Sequence, residues 1–119
     1  MARLGVGRGA REVERGPPMP AYVVVRVEVT DPERFRRYQQ LATASVEKFG
    51  GRFVVRGGAM VKLEGDWDTS RMVVVEFTSL ERATEWYRSP DYQHAIEARR
   101  GAAIFHLVAL EGVTTELTR

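Results

Sequence analysis

The sequence predicts an α+β fold of the ferredoxin-like, split βαβ kind, with a four-stranded antiparallel sheet carrying its helices on one face. Three observations lead there. Valines alternate in two separated runs, Tyr22–Val29 and Arg71–Phe77, with the period of two that marks strands. Two intervening stretches repeat apolar residues at helical spacing, and each opens on a capping sequence, Thr30-Asp31-Pro32-Glu33 and Thr78-Ser79-Leu80-Glu81. A last apolar run, about Ile104 to Leu110, completes the order strand, helix, strand, strand, helix, strand.

The first strand places Val23, Val25, Val27 and Val29 on one face and Tyr22, Val24, Arg26 and Glu28 on the other. A helix is expected over about residues 32–49, entered through Asp31 with Pro32 in its first turn. Its stripe is Phe35, Tyr38, Leu41, Ala42, Val46 and Phe49, and Gly50-Gly51 supplies the left-handed stop. Arg52 to Arg56 and Ala59 to Glu64 read as two short strand-like runs, parted by Gly57-Gly58 where a bend or bulge is expected. Gly65 to Ser70 is a turn. Along Arg71–Phe77, Val73, Val75 and Phe77 share one face, and Met72, Val74 and Glu76 the other. The next helix carries Leu80, Ala83, Trp86 and Tyr87 and stops at Ser89-Pro90, because a residue before proline is pushed out of the α region. Its continuation has Tyr92, Ala95, Ile96 and Arg99 as the inner stripe.

A chain of 119 residues with 44% hydrophobic content fits one domain with a real core. Residues 1–18 hold Arg3, Arg8, Arg11 and Arg15 against Glu12 and Glu14, so the net charge of +2 comes from this stretch and the remainder is neutral. A neutral body lacks the basic footprint of a nucleic-acid binder, and no nucleic-acid partner is expected. The glycines and prolines of residues 1–18, without an apolar pattern, predict a disordered N-terminal extension to a single domain over 19–119. Its Gly-x-Gly-x-Gly stretch follows no strand, which makes a phosphate-loop reading very weak. Arginine outnumbers lysine 16 to 2, better explained by coding bias than by anion recognition. Without cysteine, disulfides and thiol chemistry are excluded. No apolar run has signal-peptide or membrane-spanning length, and a cytoplasmic protein with no membrane partner is expected.

The sheet face turned away from the helices still carries Tyr22, Val24, Met72 and Val74, too apolar for water. A second copy of the same sheet is the economical cover: a two-fold homodimer pairs identical patches and lets two sheets close into a dimeric α/β barrel.

Tyr22 with its valine-rich strand, Thr30-Asp31-Pro32, Gly50-Gly51, Arg56-Gly57-Gly58, Leu63-Glu64-Gly65-Asp66-Trp67, Glu76-Phe77, Trp86-Tyr87-x-Ser89-Pro90-x-Tyr92, Arg99 and Glu111-Gly112 form a combination that resembles the family called domain of unknown function 1330, DUF1330. The resemblance covers about residues 19–113. It implies a dimeric α/β barrel, an architecture shared by small monooxygenases, muconolactone-isomerase-like enzymes, dehalogenase-like proteins and haem enzymes. It implies no particular reaction.

Glu76 and His106 are the candidate catalytic groups. Glu76 shares its face with Met72 and Val74, so burial would raise its pKa and fit it to move protons; pairing with Arg26 or Arg56 is the alternative, and the more frequent one. His106 lies beside Phe105 and Leu107, where a general base or haem ligand is conceivable and a hydrogen-bonded structural histidine commoner. Tyr22, Arg26, Tyr38, Arg56, Trp67 and Trp86 are the candidate ligand-binding residues. Arg26 could orient an anion or set dimer register, and Arg56 could grip a ligand carboxylate or bridge to Glu64 or Glu76. Trp67 in its turn could lid a pocket or pack on a helix end, while Tyr38 and Trp86 are core or pocket wall. Neither His94 nor His106 has a partner at metal-ligand spacing, and no metal or cofactor is expected. The expected function is binding of a small organic molecule, with cofactor-independent isomerase, cyclase or oxygenase chemistry as its enzymatic form. The alternative is a non-catalytic binding or regulatory dimer whose interior charges are structural ion pairs.

Overall fold

Alternating valines extend the chain into β1 (Ala21–Val29), which becomes the inner strand of the sheet because both of its edges find partners. The computed structural model describes residues 19–113; the extension expected over residues 1–18, like residues 114–119, lies outside the described residues. The order along the chain is β1, α1 (Pro32–Lys48), β2 (Arg52–Arg56), β3 (Arg71–Phe77), α2 (Leu80–Arg88), α3 (Pro90–Ala98) and β4 (Ala103–Glu111). In space the strands run β2-β3-β1-β4, all antiparallel, as the ferredoxin-like plan requires.

Each helix begins where the sequence provides a cap. The Asp31 carboxylate accepts the Arg34 amide at 3.3 Å ahead of Pro32, and α1 ends into Gly50 at φ +77°. Ser89 serves two helices at once. Its hydroxyl donates to the Trp86 carbonyl at 2.7 Å, closing α2, and accepts the Tyr92 amide at 3.1 Å, opening α3. Proline at the first position of α3 has no amide hydrogen to lose, so the chain bends there without an orphaned donor.

One face of the sheet packs on the helices. Val23, Val25, Val27, Val75 and Phe77 meet Phe35, Tyr38, Ala42, Val46, Ala83, Trp86, Tyr92 and Ala95, and all are buried. Trp86 lies between Phe77, at 5.3 Å between ring centroids, and Tyr92, at 4.1 Å. A polar residue, Ser45, is fully buried in this apolar layer. It accepts the Trp86 indole N–H at 2.9 Å and donates to the Ala42 carbonyl at 2.8 Å. Ser45→Ala is therefore expected to strand a buried indole donor and to lower stability by about 1–3 kcal/mol in a denaturant titration.

One expectation needs correction. The run Ala59–Glu64 forms no strand; residues 57–70 are an irregular crossing in which Val61 and Leu63 are 78% and 91% exposed. A strand requires a paired edge, and among the described residues β3 already has β2 on its free side. At Gly57-Gly58 the expected bend is present, with Gly57 at φ +69°, and a separate bulge lies earlier, between Phe53 and Val55 of β2. Phe53 opposes Val75, Val55 opposes Val74 and Arg56 opposes Val73, so Val54 is the extra residue. Simple alternation would set Arg56 on the face opposite Phe53, whereas the bulge returns it to the helix side.

Candidate functional site

Between α1 and the sheet lies a small cavity of about 40 Å³, open at one end. Its walls are mostly apolar, with Val25, Phe35, Val46, Phe53, Val73 and Phe105 among them, and its polar groups are Tyr38, Gln39, Arg56, Arg71 and the Trp86 ring. Apolar walls with a few polar groups are the form small-molecule pockets take, while the volume is well below the roughly 300–1,000 Å³ of drug-sized sites and suits a ligand of only a few heavy atoms. The inward-facing residues of β1 and β3 form the floor, and the Phe35, Tyr38 and Ala42 stripe of α1 forms the roof. The bulge in β2 brings Arg56 to the mouth, where its guanidinium donates to the Thr43 hydroxyl and lies 3.9 Å over the Phe53 ring.

Tyr38 and Tyr92 share a buried hydrogen bond of 2.7 Å between their hydroxyls. Burial is the main cause that pushes both phenols above their ordinary pKa; the mutual contact adds to the rise at Tyr38, while the hydrogen bond opposes it at Tyr92. Both stay neutral through the physiological range, so neither is a base. The stability that goes with their raised pKa values is complete below the ordinary phenol pKa, about 10, and is lost as pH rises beyond it. Equilibrium unfolding is expected to show stability falling above about pH 10, by as much as about 1.4 kcal/mol per pH unit per phenol, and more shallowly in Tyr38→Phe. Arg99 stacks 3.7 Å over Phe105 and 5.5 Å from the Tyr38 ring, on the side of a wider open groove between α2 and β4.

The structure divides the sequence candidates into groups. Tyr38, Arg56 and Trp86 meet at the cavity. Tyr22 and Glu76 meet on the opposite sheet face, where the Tyr22 hydroxyl donates to Glu76 at 2.9 Å and the Arg52 guanidinium to the same carboxylate at 2.7 Å. Glu76 is thus partly shielded and linked to an arginine, as expected, but the partner is Arg52 in place of Arg56 or Arg26. Register decides it: Arg52 and Tyr22 are the residues directly opposite Glu76 on its two neighbouring strands. Donation to that carboxylate raises the Tyr22 pKa. Arg26 and His106 oppose each other at the other end of this face. There Arg26 comes within 3.8 Å of Asp68, whose pKa is lowered by the Ser70 hydroxyl and amide, with smaller help from Arg26 and His106. Trp67 lies in the crossing segment, 56% exposed. Among the described residues no cluster of three or more His, Asp or Glu side chains is placed to hold a metal, and no helix is long and apolar enough to cross a membrane.

Arg71 and Gln39 line the cavity but were not among the sequence candidates. The signal for Arg71 was present: it occupies the face of β3 shared by Val73, Val75 and Phe77, where an arginine is out of pattern. Gln39 gave none, since it lies beside the helical stripe among polar neighbours.

A four-stranded antiparallel sheet with its helices on one face is the ferredoxin-like α+β architecture. Within that class the chain belongs to the family described as domain of unknown function (DUF1330), whose model matches residues 20–113. Similar solved structures include a protein of unknown function from Rhodopseudomonas palustris, 22% identical with a TM-score of 0.65 over 82% of this chain and 85% of that one. Another is SnoaB, a cofactor-independent oxygenase from Streptomyces nogalater, 18% identical with a TM-score of 0.58 over 82% and 96%. A hypothetical Arabidopsis thaliana protein is 13% identical with a TM-score of 0.56 over 90% and 98%. At these identities the likeness is one of fold. No curated protein matches the chain.

Proposed function

We propose that the protein is a cytoplasmic homodimer that binds a small organic molecule in the cleft between α1 and the sheet, with Tyr38, Arg56, Arg71 and Trp86 as the contacting residues. The observation that carries this reading is the cleft itself, an apolar cavity with a few polar side chains in its lining. Homodimer formation is supported by the outer sheet face, where Tyr22, Val24, Met72 and Val74 continue into Ile104, Val108 and Leu110 of β4, each of these three about half exposed in the single chain.

Binding is favoured over catalysis by the lining. The base-dependent forms of isomerisation, cyclisation and cofactor-free oxygenation need a proton acceptor, and the polar lining consists of a phenol held neutral, an amide, an indole and guanidinium groups. Glu76 and His106 face the other side of the sheet, and Glu76 is engaged as an ion pair. The oxygenase reading keeps the support of the SnoaB-like fold, a likeness that extends to architecture and leaves chemistry open.

The two tryptophans provide a test. Trp86 borders the cleft and Trp67 lies in the exposed crossing, so their indole N–H resonances report inside and outside. In a titration with acetamide, acetate and ethylammonium, at least one is expected to shift the Trp86 resonance saturably while Trp67 stays in place. If none moves Trp86, the cleft is not a binding site.

A further inference from the structure

We propose that the cleft is selective for a carboxylate carried on a compact apolar body, with the guanidinium groups of Arg71 and Arg56 as its receptor; this rests on the cleft being a small-molecule site. Arg56 ends β2 and Arg71 begins β3, and the ladder between them runs on to a Gly57 amide bond with the Met72 carbonyl at 2.8 Å. Both side chains line the same cavity. Neither forms an ion pair among the described residues, and no Asp or Glu lines the cleft. Arg56 is exposed and Arg71 half-buried, so the charge that an anion would chiefly answer is that of Arg71.

Arg71 carries the strongest sign. Its Nε is buried and has no hydrogen-bond partner. Its guanidinium fills the space that a Cβ on Gly57 would need, and Gly57 adopts φ +69°, so backbone and side chain are fitted to each other. Arg56 is held by Thr43 and by the Phe53 ring, which reduces the ordering required on binding. A carboxylate matches guanidinium forks with two oxygens in one plane, and the Val25, Phe35 and Phe105 walls receive what is attached to it.

The test titrates the full chain with acetate, acetamide and ethylammonium, probes of four heavy atoms or fewer suited to a cavity of about 40 Å³, reading the Trp86 indole resonance against Trp67. Acetate is expected to bind at least tenfold more tightly than acetamide, and ethylammonium not to saturate. Arg71→Gln should abolish the preference by weakening acetate more than acetamide. Gly57→Ala, which keeps the charge but displaces it, should reduce the preference as well. Equal affinity for acetate and acetamide in the unmodified protein overturns carboxylate selectivity and leaves the cleft standing, whereas silence of Trp86 to all three overturns both. Because that comparison uses the unmodified chain, it decides the matter even if Arg71→Gln does not fold. A full acetate preference retained in folded Arg71→Gln would overturn the role given to Arg71.

Discussion

Trp86→Ala is expected to destabilise the protein by about 3–5 kcal/mol, the range for removing a large buried aromatic. The ring is 2% exposed, lies between Phe77 and Tyr92, and satisfies Ser45 through its indole N–H. Its loss would open a void where α1, α2 and the sheet converge, and would leave Ser45 without that donor. Against a domain stability of about 5–15 kcal/mol this is a large fraction, so the urea midpoint should fall steeply. Trp86→Phe retains most of the packing and should cost clearly less. Equal midpoints for Trp86→Ala and the unmodified protein would mean that the aromatic layer is not the centre of the core.

Val74→Arg is expected to dissociate the proposed homodimer. Val74 sits mid-face on β3, opposite Val24 of β1 and Val55 of β2, in the apolar surface turned away from the helices. In an isologous contact each substitution is introduced twice, so two unpaired guanidinium groups would enter one interface. A weakening of at least about 3 kcal/mol, roughly a hundredfold, would follow. Light scattering should give twice the 13.5 kDa chain mass for the unmodified protein and the single-chain mass for the variant. Leu63→Arg, on the exposed crossing, is the control and should leave the mass unchanged. A stable monomer of the unmodified protein at micromolar concentration would end the dimer proposal.

The helices and the three longer strands were legible because their periodicity and caps agree. Asp31-Pro32, Ser79 and Ser89-Pro90 each mark a boundary that local chemistry alone enforces. Ala59–Glu64 misled for the converse reason: its alternation is local, but a strand needs a partner edge that local sequence does not reveal. The site was legible only in part. Tyr38 and Trp86 follow from helical stripes, while the pairing of Glu76 with Arg52 depends on register between strands far apart in the chain. Arg71 shows what a stricter reading of face parity would have found, a charge at a position its own strand assigns to the interior.

The extra residue in β2 changes how chain length should be compared across relatives. Val54 and Val55 are identical, so dropping either leaves Phe53-Val-Arg56, in which plain alternation already turns the aromatic and the arginine to the same side. A homologue one residue shorter here would present an equivalent anion receptor, with its arginine two positions after the aromatic in place of three. A gap of one in an alignment of this edge strand therefore carries no loss of the site. The same gap anywhere between Arg71 and Phe77, where no bulge absorbs it, would invert the parity of the strand and turn part of the core outward.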